Sequence, residues 1–132
     1  MGDGTWRFHL RDGVSFSDFS TLDAGDIVHT IERALSRYLT CEIGAKYFGG
    51  MTLTPTVVHD LTIDIKSQPA QPNLPLLMPT LTVVPAETPI ELTREPVGTG
   101  PCVLSEWNVG QSIVLDHRDD YWGAQPAVTK AT

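Results

Sequence analysis

Cysteine, positive charge and long hydrophobic runs are all scarce in this chain of 132 residues. Its two cysteines, Cys41 and Cys102, stand in no CxxC or Cys/His spacing, so neither a zinc site nor a rich disulfide framework is indicated. Two free thiols are the simpler expectation, and a single disulfide between them stays open. The 9 Lys and Arg against 16 Asp and Glu give a net charge of −7. This argues against nucleic acid or an anionic membrane as a partner, because both attract cationic side chains.

What remains is the composition of a folded protein, with 41% hydrophobic residues and a length that suits one domain, residues 1–132. No apolar run approaches the roughly 18–20 residues that span a bilayer. Strand-like sequence begins at Thr5 with no signal peptide before it.

Alternating and helical patterns together predict an α+β fold with antiparallel strand pairing. A long helix is predicted from Asp23 to about Leu39, with Asp23 as its N-cap and Asp26 completing a capping box. One short helix, of one or two turns, is predicted at 73–78, where prolines exclude a longer one. Strands are predicted at residues 5–11 with a continuation at 14–16, and at 56–58, 61–66, 81–84, 102–107 and 111–117. The tail after Gly123 is expected to fray.

Catalytic and metal-binding patterns are also missing. There is no nucleophile elbow, and the segment 98–100, Gly-Thr-Gly, lacks the further residues of a nucleotide or phosphate loop, so it predicts a tight turn. The acidic cluster at 116–120 lacks the glycine and the distal glutamate of a calcium loop. The histidines stand at no metal-ligand spacing, and solvated or capping roles are expected for His9, His29, His59 and His117. The sequence therefore indicates no enzyme, no cofactor and no metal.

The aromatic side chains on strands are expected to supply core area. This applies to Trp6, Phe8 and Trp107. Tyr121 and Trp122 follow a strand end, so core packing and exposure in a ligand cleft are both open for them.

Two stretches, taken together, resemble a known family. The sequence WRFHLRDGVSFSD at 6–18 leads into LDAGDIV at 22–28, and PVGTGP at 96–101 is followed by DDYWG at 119–123. In this order and spacing the chain resembles family 5 of the extracellular solute-binding proteins of ABC importers, the group that carries peptides, nickel chelates and opines. Cys102, where the family has an aromatic residue, and Phe19, where it usually has glycine, depart from the pattern.

The resemblance covers nearly all of the chain but only part of such a protein. It implies a fragment that forms the peripheral subdomain of the first lobe of a periplasmic-binding-protein type II-like fold. The expected function is that of the parent, the substrate-binding component of an importer that delivers an oligopeptide or other small solute to an ABC permease. The parent is expected in the periplasm or outside the cell, with a lipid anchor as one option, and the fragment alone should have little ligand affinity.

The resemblance also points to candidate ligand-binding residues. Counting back from Pro85, it places Met78 nearest the ligand cleft and Thr80 behind it. The alternative for Met78 is an ordinary gap-filling residue of the core. The alternative function is an interaction module that forms a homodimer through exposed strand edges.

Overall fold

The computed structural model describes residues 3–39 and 41–132. Within these ranges it has six strands, three α-helices and one short 3-10 turn. In chain order they are β1 (Thr5–His9), α1 (Ala24–Ala34), α2 (Glu42–Phe48), β2 (Thr52–His59), β3 (Thr62–Gln68), α3 (Leu74–Leu77), the 3-10 turn (Met78–Thr80), β4 (Cys102–Asn108), β5 (Ser112–His117) and β6 (Lys130–Ala131). The predicted α+β class is confirmed, but the described residues contain three α-helices where one long and one short helix are predicted.

The first sheet has the strand order β1-β3-β2 and is antiparallel throughout. Ile63 and Ile65 on the central strand β3 are fully buried, and they pair with Phe8 and Trp6 of β1. Pro55 lies inside β2, which is tolerated because β2 is an edge strand and its outer N–H groups need no partner in the sheet. Strand β2 is therefore longer than the predicted 56–58.

Helix α1 covers one face of this sheet and closes the main core. The core consists of Ala24, Ile27, Ile31, Phe48, Leu53, Ile63, Ile65 and Leu74. The predicted capping box is present, since the Asp23 carboxylate accepts from the N–H groups of Gly25 and Asp26, and the Asp26 carboxylate accepts from the N–H of Asp23. These bonds satisfy N–H groups that have no partner within the helix.

Helix α1 ends at Ala34, five residues before the predicted end at Leu39. The second helix, α2, begins at Glu42, and its residue Gly44 lies directly against the carbonyl of Ala34. A Cβ at position 44 would collide with that carbonyl oxygen, so only glycine permits the approach. The C-terminal end of α1 is thus occupied by a neighbouring helix that the sequence pattern did not predict.

The second sheet has the order β4-β5-β6 and includes the predicted hairpin. Its turn ends on Gly110, whose φ of 77° is in the left-handed region that favours glycine. The tail also contributes, since Lys130 and Ala131 pair with β5 where fraying is predicted. The predicted strand at 81–84 is absent; Val84 is hydrogen-bonded to the Thr30 side chain of α1 instead.

Candidate functional site

The polar side of α1 holds a segment that we call the connector, residues 84–91. Thr30, which is buried, donates its hydroxyl hydrogen to the carbonyl of Val84 at 3.3 Å and accepts from the N–H of Val84 at 3.1 Å. The second carboxylate oxygen of Asp26 accepts from the N–H of Ala86 at 2.8 Å. The helix face that the pattern predicts to be polar is therefore largely buried, because the connector lies across it.

Two further residues of α1 extend this set along the connector. The Nε2 of His29 lies 2.6 Å from the carbonyl of Thr88, so this nitrogen carries the hydrogen. The guanidinium of Arg33 donates to the carbonyls of Pro89 and Glu91, at 3.3 Å and 2.8 Å. We call Asp26, His29, Thr30 and Arg33 the connector clamp. His29 thus bonds to a carbonyl of the connector, where the sequence predicts a solvated or capping role.

The predicted ligand-facing residues lie in the turn just before the connector. Met78 is half-buried and packs against the main core, where it lines an apolar recess of about 150 Å³ together with Phe8, Leu10, Ile27, Thr30, Ile63, Ile65, Leu81 and Val83. Thr80 is also half-buried, and its hydroxyl donates to the carbonyl of Leu77 at 2.7 Å. The structure thus brings Met78 to a recess, while the Thr80 hydroxyl closes its own turn.

A larger groove, of about 480 Å³, separates the second sheet from α1 and the connector. Alternate residues of β4 and β5 face it, and we call this set the groove face: Cys102, Leu104, Trp107, Ile113 and Leu115. Trp107 is 42% exposed, where the sequence predicts core packing. The contact that the structure gives this ring is with the Arg94 guanidinium, 5.9 Å from its centroid.

Arg118 joins the second sheet to the first part of the chain. It is only 4% exposed, and its guanidinium donates to the carbonyls of Ser15 and Phe16, to those of Gly98 and Gly100, and to the carboxylate of Asp120. Through these bonds it fixes the predicted tight turn at 98–100. The hydrogen bond from Arg118, with its positive charge, lowers the pKa of Asp120 below its ordinary value.

The aromatic residues after β5 support the same turn. The Nε1 of Trp122 donates to the carbonyl of Thr99 at 2.8 Å, its ring lies 5.0 Å from the ring of Tyr121, and the Arg11 guanidinium lies 5.1 Å from its centroid. Trp122 remains 38% exposed. The contacts of Trp122 therefore lie at the turn at 98–100 and not in the main core.

The described residues contain no cluster of metal-ligating side chains. Within residues 3–39 and 41–132, no three His, Cys, Asp or Glu side chains converge on a position where a metal could bind. Cys41 and Cys102 are both free thiols. None of the helices in the same ranges reaches the length and hydrophobicity that a membrane crossing requires.

Sequence reasoning missed Arg118 and the connector clamp. Arg118 stands in the run Asp-His-Arg-Asp-Asp, where it is the lone cation that is followed two residues later by an acid. This two-residue spacing allows the observed ion pair between Arg118 and Asp120. It is the sequence feature from which that pair could have been predicted. The helical pattern places Asp26, Thr30 and Arg33 on the side of the helix away from the apolar stripe and His29 near the edge of that stripe, and it contains no sign of the connector.

Comparison with known proteins gives consistent results. The family described as bacterial extracellular solute-binding proteins, family 5 Middle, matches residues 2–132. The nickel-binding periplasmic protein of Escherichia coli is 31% identical over 137 residues, covering 97% of this chain and 26% of its own length. The probable ABC transporter periplasmic-binding protein SapA of Escherichia coli is 32% identical over 148 residues, covering 92% and 27%.

A solved structure has the same fold. The oligopeptide-binding protein AppA of Bacillus subtilis, in complex with a nonapeptide, superposes with a TM-score of 0.79 at 25% identity. The match covers 98% of this chain and 28% of that protein. The chain therefore spans about a quarter of the length of the relatives that it matches.

Proposed function

Because the chain belongs to the bacterial extracellular solute-binding proteins of family 5, we propose that it is part of the substrate-binding component of an ABC importer. The match over residues 2–132 is the observation that carries this proposal. The solute is a peptide, a nickel chelate or an opine, bound outside the cytoplasm and passed to a permease. The protein acts by binding and has no catalytic role, and its location is the periplasm or the cell exterior, with or without a lipid anchor.

The 132 residues contribute a frame to this function and not a complete binding site. The connector clamp supports such a role, because four side chains of α1 fix the path of the connector through hydrogen bonds. The turn before it, Met78–Thr80, is the part that we assign to the ligand cleft of the whole protein. A cleft of this kind is completed by residues outside this chain, so the 132 residues alone should have little affinity.

Calorimetric titration of the complete protein tests the main proposal. The titrants are a mixed dipeptide, a nonapeptide, Ni²⁺ with histidine and an opine, and one of them should bind saturably. The 132-residue chain should show no saturable thermal shift with any of the four. Saturable binding by the short chain alone would contradict the frame assignment, and absence of binding by the complete protein to all four would contradict the importer assignment.

Met78→Ala in the complete protein tests the assigned turn. We expect a loss of affinity of roughly tenfold, which corresponds to about 1.4 kcal/mol of lost contact with the solute. The matched control is Leu76→Ala in the same segment, since Leu76 is 76% exposed and packs on little. An unchanged affinity for Met78→Ala, with a lower melting temperature, would assign Met78 to the core alone.

A second candidate is the interaction module that forms a homodimer. Strands β1, β2 and β4 lie at sheet edges in the described part of the chain, and such edges can pair with another copy. Light scattering on the 132-residue chain distinguishes the two candidates. A monomer at all concentrations would reject the dimer.

A further inference from the structure

The turn after β1 contains an aspartate followed by a glycine, and solute binding makes no use of this pair. Asp12 and Gly13 are both exposed. The N–H of Gly13 donates to Oδ1 of the Asp12 carboxyl at 2.8 Å. The carboxyl carbon is bonded to that oxygen, so the side chain is folded back onto the peptide nitrogen that follows it. Such proximity favours a reaction between the two groups that closes a five-membered ring.

Ring closure at this pair is a condensation that needs no partner except water. The Gly13 nitrogen attacks the Asp12 carboxyl carbon, and a C–N bond forms. The proton from the nitrogen and the hydroxyl from the carboxyl leave together as water, which gives a cyclic succinimide. A water molecule then opens the ring by breaking one of its two C–N bonds. Breaking the bond to the side-chain carbon restores aspartate, whereas breaking the bond to the main-chain carbonyl carbon gives isoaspartate, whose main chain runs through the side chain.

The surroundings of Gly13 leave room for this change of backbone geometry. The pair lies in the turn between the end of β1 at His9 and the start of α1 at Ala24. A Cβ placed at Gly13 would have no other atom within 4 Å. Exposed turns of this kind tolerate chemical and conformational change better than packed segments do.

A second Asp-Gly pair, Asp3–Gly4, has the same chemistry in a different environment. Oδ1 of Asp3 accepts from the N–H of Thr5 at 3.1 Å, so this carboxyl is directed at the next peptide group and not at the nitrogen of Gly4. Gly4 is buried, and its carbonyl accepts from the N–H of Ser67 at 3.0 Å. A Cβ at Gly4 would lie 2.9 Å from Ala70, so the backbone has little space to move.

The charge state of Asp3 also opposes the reaction. Hydrogen bonds from Thr5 lower the pKa of Asp3 below its ordinary value and so favour the ionised carboxylate. A carboxylate is a poorer electrophile than the protonated acid, because it has no hydroxyl group to release. Geometry, packing and charge therefore all slow ring closure at the buried pair.

We propose that Asp12–Gly13 is a site of spontaneous isomerisation to isoaspartate and that the fold protects Asp3–Gly4 from the same reaction. The product adds one atom to the main chain between two fixed points. Before the turn, the N–H of Leu10 donates to the carbonyl of Leu61 at 2.9 Å, and after it the carbonyl of Val14 accepts from the N–H of Leu22 at 3.0 Å. The extra atom has to fit within residues 11–13, so stability falls as the molecule ages.

Peptide mapping of the purified protein after incubation at neutral pH and physiological temperature tests this proposal. Chymotrypsin cleaves after Trp6 and Phe16, so the two pairs appear in different peptides. Isoaspartate is identified by a changed retention time at unchanged mass and by methylation with an isoaspartyl methyltransferase and S-adenosylmethionine. We expect isoaspartate to form at Asp12 at least about tenfold faster than at Asp3. In urea, where the fold is lost, the two pairs should react at similar rates.

The control variant is Asp12→Glu, which keeps the charge but could close only a six-membered ring, a much slower reaction. It should give no isoaspartate at position 12 and keep its melting temperature during incubation, while the original chain loses several degrees as the product accumulates. Equal rates at Asp12 and Asp3 in the folded protein would overturn the proposal. A reaction of Asp12 in urea alone would overturn it as well. None of these measurements depends on solute binding.

Discussion

Replacing Arg118 should destabilise the contact that the end of β5 makes with residues 15–16 and with the turn at 98–100. The side chain is 3% exposed and bonds to backbone carbonyls at Ser15, Phe16, Gly98 and Gly100, as well as to Asp120. Arg118→Met keeps much of the volume and removes every donor. The four carbonyls then lose a shared partner that water cannot easily replace at a buried position.

The expected cost follows from the burial of this cation. A buried acceptor that is left without its donor typically costs about 1–3 kcal/mol. The upper end applies here because four backbone carbonyls share Arg118 as their donor, whereas Asp120 adds little because its side chain is 39% exposed and regains water. We therefore expect Arg118→Met to lower the free energy of unfolding by about 3 kcal/mol, which is roughly 10–15 °C in melting temperature for a domain of this size. Arg118→Lys keeps the charge but has three donors in place of five, so about half of the loss should remain.

Urea unfolding followed by circular dichroism measures this difference, with Arg7→Met as the matched control. Arg7 forms a similar ion pair with Asp64, at 2.7 Å, but its side chain is 43% exposed. The control should leave stability nearly unchanged, because exposed ion pairs contribute little. A loss of less than about 0.5 kcal/mol for Arg118→Met, the usual range of a surface substitution, would refute the reasoning.

Two further predictions concern helix packing and acid stability. Gly44→Ala should destabilise the protein by roughly 1–3 kcal/mol in the same urea assay, because the clash with the Ala34 carbonyl outweighs the better helix propensity of alanine. The control, Lys46→Ala in the same helix, should leave stability unchanged. Hydrogen bonds from Arg7 and Arg118 lower the pKa values of Asp64 and Asp120, so their stabilising effect is present above the ordinary carboxyl pKa of about 3.9 and is lost as the pH falls through the folded-state values. An acid titration by circular dichroism should show this loss. An NMR titration of the Asp64 carboxyl should show its pKa rising toward the ordinary value in Arg7→Gln, and an unchanged pKa would contradict the assigned cause.

Local sequence signals predicted the parts of the fold that local physics determines. The Asp23–Asp26 capping box, the central strand β3 and the β4–β5 hairpin were all predicted from residues within a few positions of one another. The helix start and the hairpin form their backbone hydrogen bonds locally, and β3 has its own alternation of buried and less buried side chains. Such elements need little information from distant parts of the chain.

The errors arise where a distant segment decides the outcome. The apolar spacing of α1 continues to Tyr38, but Tyr38 is 94% exposed because α2 packs against the end of the helix. The predicted strand at 56–58 leaves out the first half of β2, which includes Pro55 at an edge position that tolerates proline. Helix length and strand length were thus set by tertiary contacts that the local pattern does not contain.

The candidate site shows the same difference between what local sequence predicts and what distant segments determine. The connector clamp consists of residues whose spacing on α1 was correct, but their burial depends on a segment more than 50 residues away. The bonds from Arg118 to Ser15 and Phe16 span more than 100 residues. The assignment of Met78 and Thr80 to a ligand cleft stays a prediction, which the Met78→Ala titration addresses.

The connector clamp has a consequence for how this segment can vary. Every clamp bond is made to a backbone N–H or carbonyl of the connector and none to a connector side chain. The clamp therefore fixes the course of the main chain and makes no contact that depends on the connector side chains. Proteins built on this helix can exchange the side chains at 86–91 while the loop keeps its route, with proline excluded at 86 because Asp26 binds the N–H there. The surface chemistry of this region can therefore be altered by design without rebuilding the scaffold.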